Sequence, residues 1–149
     1  MKSKIVFLGL LIMCIFSGNA QKRNSQDWDN KSLVSSGTYF GSKITDSKWG
    51  NVNGKSYTSA NYSEYSGFTY VKLFAMKPMN VALNYEVELE KGELEIEVVD
   101  SKNEVVFKQN FPASKKGSTN VDLKQGEDYQ IRFNGKQAKG SYFCQWKEN

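Results

Sequence analysis

The chain has no histidine, two cysteines and two prolines among its 149 residues. Without histidine it lacks the commonest general base and the commonest zinc ligand, which excludes Ser-His-Asp and Cys-His catalysis and ordinary zinc sites. The phosphate-binding patterns GxxxxGK[ST] and GxGxxG are also missing. A Ser-Lys dyad or a carboxylate pair remains open, but no spacing singles one out. A hydrolase of unknown type therefore ranks third among the functions we consider.

Long apolar runs are also missing, except for one at the N-terminus over residues 5–16. Lys2 and Lys4 precede this run, and the small residues of Ser17-Gly18-Asn19-Ala20 follow it. This order of features predicts a secretory signal peptide over residues 1–20, cleaved near Ala20-Gln21. The run is shorter than the roughly twenty residues that a spanning helix needs, so we expect no transmembrane helix in the mature chain.

An export signal predicts a secreted or periplasmic protein. Lipoprotein processing at Cys14 is disfavoured, because the bulky Met13 stands where a lipobox carries a small residue. Cleavage leaves Cys144 as the one cysteine, so we expect no internal disulfide and interpret this residue as a buried structural thiol. Cleavage of the signal peptide also lowers the net charge from +4 to +2, because Lys2 and Lys4 are removed with it. A charge that small does not favour nucleic acid as a partner.

The mature chain divides by composition into a polar segment, residues 21–36, and a single domain, residues 37–149. We interpret the first as a flexible leader. From residue 67 onward apolar residues recur at every second position, as they do in half-buried strands. The longest alternation consists of Val81, Leu83, Tyr85, Val87 and Leu89.

Two glycine-containing pairs, Lys91-Gly92 and Asn134-Gly135, have the chemistry of hairpin turns. Gly140 indicates a bulge or a close backbone approach at the start of the last strand. About seven short strands joined by tight turns predict an all-β fold, an antiparallel β-sandwich or jelly-roll of one domain. The sequence selects no oligomeric state.

The C-terminal pattern resembles a known type of domain. It consists of Leu123-x-x-Gly126-x-x-Tyr129-x-Ile131-x-Phe133-x-Gly135 followed by Gly140-Ser141-Tyr142. This resembles the closing strands of small bacterial extracellular β-sandwich domains of the pre-peptidase C-terminal type, over residues 67–147. The resemblance implies an accessory, binding or chaperoning module, and it assigns no role to any residue. Because no catalytic domain accompanies the pattern here, an accessory role within the same chain is not expected.

Acidic residues alternate with the apolar ones on both sides of Lys91-Gly92. With a hairpin there, Glu86 and Glu88 would face Glu97 and Glu95 across two strands, and like charges so placed are destabilising. We favour a shifted register or neutralisation by lysines of neighbouring strands, of which Lys72, Lys108, Lys136 and Lys139 are available. The second alternative is a cation such as calcium, bound by Glu86, Glu88, Glu95 and Glu97. The third is an acidic docking face for a basic partner.

Aromatic residues are concentrated in a stretch rich in Ser, Gly, Asn and Thr. The stretch contains Tyr39, Phe40, Trp49, Tyr57, Tyr62, Tyr65, Phe68 and Tyr70. Rigid rings beside hydroxyls and amides suit sugars and peptides, although the same rings could close one end of the sandwich. The candidate ligand-binding residues are Trp49, Tyr57, Tyr62 and Tyr65, which a binding module would expose together.

The sequence therefore predicts an exported, non-catalytic binding or interaction module whose partner is a glycan, a peptide or an extracellular protein. A structural or envelope-associated protein without a small-molecule ligand is the alternative. No cofactor is expected apart from the calcium alternative.

Overall fold

The computed structural model describes residues 27–41 and 48–149. The predicted signal peptide, its cleavage site and Cys14 lie outside the described residues. The described part contains seven strands and no helix. The strands are β1 (Leu33–Phe40), β2 (Gly50–Asn53), β3 (Tyr57–Ala75), β4 (Met79–Val99), β5 (Val105–Phe111), β6 (Lys115–Leu123) and β7 (Asp128–Glu148). Neighbouring strands pair antiparallel, so the predicted all-β fold is confirmed.

Three long strands, β3, β4 and β7, each take part in two sheets. Their pairing order is β3-β7-β4 throughout, and shorter strands add to both edges. At one end β2 pairs with β3 and β6 pairs with β4, which gives sheet I in the order β2-β3-β7-β4-β6. At the other end β1 pairs with β3 and β5 pairs with β4, which gives sheet II in the order β1-β3-β7-β4-β5.

The long strands bend sharply where they pass from one sheet to the other. The rings of Phe133 and Tyr142, both in β7, stack with their centroids 4.0 Å apart. These residues are nine positions apart, and an extended strand of that length would span about 30 Å. β7 must therefore fold back on itself between them. The register of β3 and β4 is irregular at the same level, near Tyr65 and Lys91. The two sheets consequently pack face to face as a sandwich.

The core lies between the inner faces of the two sheets, where the apolar residues of every second position meet. In β4, Val81, Leu83 and Val87 of sheet I are buried, as are Leu94 and Ile96 of sheet II. The inward-facing residues of β4 have odd numbers before the bend and even numbers after it. The irregular register near Lys91 produces this change. The alternation predicted from the sequence is confirmed on both sides of this change.

Both predicted hairpins are wrong, because β4 and β7 continue through them. Gly92 has a φ of 78° and lies in the bend of β4, so its positive φ serves a bend within a strand instead of a turn between two. Gly135 lies opposite Gly67 and Leu94, and a Cβ on it would be 2.2 Å from the ring of Tyr65. This glycine therefore provides space for a core ring.

The segment predicted as a leader is part of the domain from residue 27 onward. β1 begins at Leu33, whose side chain is buried, and the residues before it bind the rest of the chain. The carboxylate of Asp27 accepts hydrogen bonds from the amides of Lys55 and Ser56, at 3.0 and 2.8 Å. The amide of Glu148 donates to Asn30 Oδ1 at 3.0 Å. Short polar side chains satisfy backbone groups at the ends of other strands here, so polar composition alone does not imply flexibility.

Candidate functional site

Three of the four predicted ligand-binding residues are packed into the core. Tyr62 and Tyr65 are buried, and the half-buried Trp49 packs against them with ring centroids 5.9 and 4.9 Å away. The hydroxyl of Tyr65 donates to the carbonyl oxygen of Phe133, and burial raises the pKa of Tyr65 to about 12. The predicted exposure of Tyr62 and Tyr65 is therefore wrong. The bend of β3 turns this part of the strand inward.

Tyr57, the fourth predicted residue, lies elsewhere. It is half-buried on the outer face of sheet I, where its ring stacks on Phe143 at 5.7 Å between centroids. The four predicted residues thus do not form one exposed surface.

The four glutamates proposed as calcium ligands are divided between the two sheets. Glu86 and Glu88 lie on the outer face of sheet I, and Glu95 and Glu97 lie on the outer face of sheet II, because β4 bends between them without a hairpin. They therefore do not oppose each other as predicted. Within residues 27–41 and 48–149, no group of three or more metal-ligating side chains comes together.

Neighbouring strands supply cations to glutamates of β4, as the favoured alternative predicted. Lys108 Nζ is 2.9 Å from a carboxylate oxygen of Glu95, and Lys139 Nζ is 2.6 Å from one of Glu90. Both lysines were among the predicted partners. Two further ion pairs, which were not predicted, join Lys116 to Glu86 at 2.9 Å and Arg132 to Glu97 at 3.8 Å.

The outer face of sheet II brings together rings and polar groups from all five of its strands. One row of register partners crosses the sheet and consists of Tyr39, Tyr70, Arg132, Glu97 and Lys108. A second row runs beside it and consists of Phe68, Asn134, Glu95 and Asn110. We call the surface formed by these nine residues the cleft face.

A cavity of about 400 Å³ opens at the β5 end of the cleft face. It is lined by Glu93, Leu94, Glu95, Asn110, Phe111, Pro112, Asn134, Gly135 and Lys136. Leu94 and Phe111 are core residues, whereas Glu93, Asn110 and Lys136 are exposed. The cavity therefore has an apolar floor and a polar rim.

The rim of the cavity carries both hydrogen-bond donors and acceptors. The side-chain amide of Asn134 donates to Glu95 at 3.0 Å, and Glu95 also pairs with Lys108. Hydrogen bonding to Glu95 raises the pKa of Lys108, so its ammonium group stays charged. Glu93 and Lys136 are register partners on β4 and β7 and add an exposed carboxylate and an exposed ammonium. A bound molecule would meet groups of both kinds within one cavity.

The β1 end of the cleft face is aromatic. The rings of Tyr39 and Tyr70 stack at 5.4 Å, and the ammonium of Lys72 lies 5.0 Å from the centre of the Tyr39 ring. Next to them the guanidinium of Arg132 lies over the ring of Phe68, at 5.4 Å. Arg132 also donates from Nε to the side chain of Gln130 at 2.8 Å, which fixes the orientation of its plane.

Part of this surface could be found from the sequence. Tyr39, Phe68 and Tyr70 belong to the aromatic stretch that is visible in the sequence. Asn110 carried no signal and Asn134 only that of a turn, because the two lie on different strands and nothing in the sequence brings them together.

Comparison with solved structures finds carbohydrate-binding modules of low sequence identity. A module from Cellvibrio mixtus lichenase 5A, in complex with cellotriose, is 13% identical with a TM-score of 0.45, over 76% of this chain and 97% of the module. A family 35 module from Clostridium thermocellum is 12% identical with a TM-score of 0.42, over 75% and 90%. One from Cellvibrio japonicus Abf62 is 12% identical with a TM-score of 0.45, over 78% and 96%.

No protein-family model matches the sequence, and no curated protein sequence matches it. The similarity to solved structures concerns the arrangement of strands. The predicted small β-sandwich is confirmed by the packing of the two sheets, whereas the pre-peptidase C-terminal type has no support. Across the described ranges, no helix is long and apolar enough to cross a membrane.

Proposed function

We propose that this chain is a non-catalytic module that binds carbohydrate on the cleft face. The observation that carries the proposal is the cavity of about 400 Å³, whose polar rim continues into a row of aromatic rings on the same face. Binding sites for small molecules typically combine apolar and aromatic walls with a few convergent polar groups.

The chemistry of the cleft face suits hydroxyl groups. A sugar hydroxyl both donates and accepts, so it can bridge the exposed ammonium of Lys136, the amide of Asn110 and the carboxylate of Glu93. Tyrosine side chains offer large, rigid surfaces at a low entropic cost, and Tyr39 is 40% exposed. The apolar face of a sugar ring would pack against the flank of the Tyr39-Tyr70 stack.

Hydrolysis is the second candidate, because the cavity contains two carboxylates, Glu93 and Glu95. Glycosidases use such a pair, one member of which must donate a proton to the leaving group. Glu95 already accepts from Asn134 and pairs with Lys108, and its protonation would weaken both contacts. Glu93 is exposed on the rim, opposite Lys136 in the strand register. We therefore favour binding without cleavage.

A glycan array probed with the purified protein tests the proposal. The informative variant is Tyr39→Ala with Asn110→Ala, which truncates one exposed residue at each end of the cleft face and should leave the fold intact. The matched control is Tyr57→Ala, which removes a ring from the outer face of the other sheet. We expect binding that the double variant loses and the control keeps.

Other outcomes would decide against the proposal in different ways. Binding lost only in Tyr57→Ala would place the site on sheet I, near the residue that the sequence singled out. Silence across the array would favour a protein partner or a structural role in the envelope. Release of shorter sugars from a bound oligosaccharide, abolished by Glu93→Gln, would favour hydrolysis.

A further inference from the structure

We propose that the ligand of the cleft face is a linear, uncharged oligosaccharide that lies across the strands of sheet II. This inference rests on the proposed function. It names the class of carbohydrate, and it excludes single sugars and anionic chains as preferred ligands.

The length of the site supports an extended ligand. Tyr39 and Lys108 are the ends of one register row that crosses five strands, from β1 to β5. Four strand spacings of about 4.8 Å place them about 19 Å apart. One sugar ring cannot contact the tyrosine stack on β1 and the cavity beside β5 at the same time. A chain can, provided that it runs perpendicular to the strands.

The two rows also define a straight path. Phe68, Asn134 and Asn110 follow one another on β3, β7 and β5, with Glu95 on β4 between the last two. Each step along this path exposes a different kind of group, from a ring to an amide and a carboxylate. Equivalent positions on successive sugar units would therefore meet a ring at β3 and a polar group at each of β7, β4 and β5.

The charges of the face favour an uncharged chain. Lys108 pairs with Glu95 at 2.9 Å, and Arg132 pairs with Glu97 at 3.8 Å. An anionic sugar could bind either cation only by competing with a carboxylate that is fixed beside it. The same anion would approach those carboxylates closely, and like charges repel.

Two further cations lie beside the cleft face, and each is positioned so that it offers little attraction to an anion. Lys136 lies opposite the carboxylate of Glu93, with which it is in register. Lys72 is exposed, and its ammonium lies over the ring of Tyr39. Together with the flanking Lys72, Lys136 and Glu93, the cleft face carries four cations and three carboxylates, and the excess charge lies at its aromatic end.

Isothermal titration calorimetry with matched oligosaccharides tests both parts of the inference. The probes are neutral β-1,4-linked glucose, xylose and mannose oligomers, as disaccharides and hexasaccharides, and an oligogalacturonate of the same length. We expect a neutral hexasaccharide to bind more tightly than its disaccharide and than the oligogalacturonate. Raising the salt from about 0.05 to 0.5 M should change its Kd by less than about twofold, because no net charge is neutralised.

Single variants of the two ends separate a long site from a short one. Tyr39→Ala should weaken the hexasaccharide by about tenfold and leave the disaccharide unchanged, since loss of one ring contact is of that order. Asn110→Ala at the cavity should weaken both. Tyr57→Ala, on the opposite sheet, should change neither.

Three results would overturn the inference, and they can be told apart. Equal affinity for disaccharide and hexasaccharide would reduce the site to the cavity and leave carbohydrate binding in place. Preference for oligogalacturonate, lost at high salt, would replace the uncharged ligand by an anionic one. Binding of no carbohydrate at all would reject the proposed function together with the inference.

Discussion

Gly140 lies at the corner where β7 passes from sheet II to sheet I. Its φ is 148°, and it pairs with Tyr62 on one side and Leu89 on the other. A Cβ added there would be 1.9 Å from the carbonyl oxygen of Glu88 and 2.9 Å from its carbonyl carbon. The close backbone approach inferred from the sequence is thus present, although in the middle of a strand. We expect Gly140→Ala to destabilise the whole sandwich.

The magnitude follows from two costs. A residue with a side chain in a sparsely populated backbone region costs about 1–3 kcal/mol. The atoms that the new methyl group would meet belong to the backbone of β4, so relief requires the strands to separate and to lose one or two ladder hydrogen bonds of about 1 kcal/mol each. We therefore expect a loss of about 3 kcal/mol, a large share of the roughly 5–15 kcal/mol that stabilises a typical domain.

Urea unfolding measures this loss directly, and two other glycines separate its causes. Gly126 has a φ of 72° and open space around it, so Gly126→Ala should cost only the backbone strain, about 1 kcal/mol. Gly50 also has open space and carries no positive φ, so Gly50→Ala should change the free energy of unfolding by less than about 0.5 kcal/mol. A Gly140→Ala variant as stable as Gly50→Ala would refute the described corner.

Three further predictions follow from single contacts. Burial raises the pKa of the Cys144 thiol to about 12, so a thiol reagent should modify it only after unfolding; rapid reaction of the native protein would contradict its position. Burial opposes the charge of Asp27, but hydrogen bonds from residues 55–56 outweigh this effect and lower the pKa of Asp27 below its ordinary value of 3.8. The ionised carboxylate therefore stabilises the fold above pH 3.8, and this stabilisation is lost as the pH falls through the pKa of the folded state. The melting temperatures of the wild type and Asp27→Asn should therefore converge in acid, and a constant difference would exclude this role. Tyr142→Phe removes a hydrogen bond of 3.1 Å to Thr69 but keeps the ring, and should cost about 1 kcal/mol in urea unfolding, with no loss if the bond is absent.

The strands could be predicted from the sequence because their signal is local. Along β4 the residues that alternate inward, such as Val81 and Leu83, are the apolar ones, and no distant information is needed to see this. The same pattern identifies the inner position of Cys144 beside Trp146. Period-two alternation therefore shows which side of each strand is buried.

The path of the strands could not be predicted, because a glycine that bends a strand resembles one that ends it. Gly92 has the positive φ that a hairpin would require, yet β4 continues beyond it to Val99. What decides between the two is the partner strand, since β7 offers hydrogen bonds on both sides of the corner. The glutamates were therefore placed opposite each other in the prediction, whereas they lie on two different sheets.

The candidate site depends on four strand registers, and this explains which of its residues could be predicted. A shift of one position between β3 and β7 would turn Asn134 toward the core, so no local pattern could connect it to Phe68. The aromatic residues are different, because their phase is visible within one strand. Thr69 and Val71 alternate with Phe68 and Tyr70, and the buried pair fixes the rings on the outer face. A ring at an outward position fills no core, so these two were better candidates for ligand contact than Tyr62, which precedes the bend and faces inward.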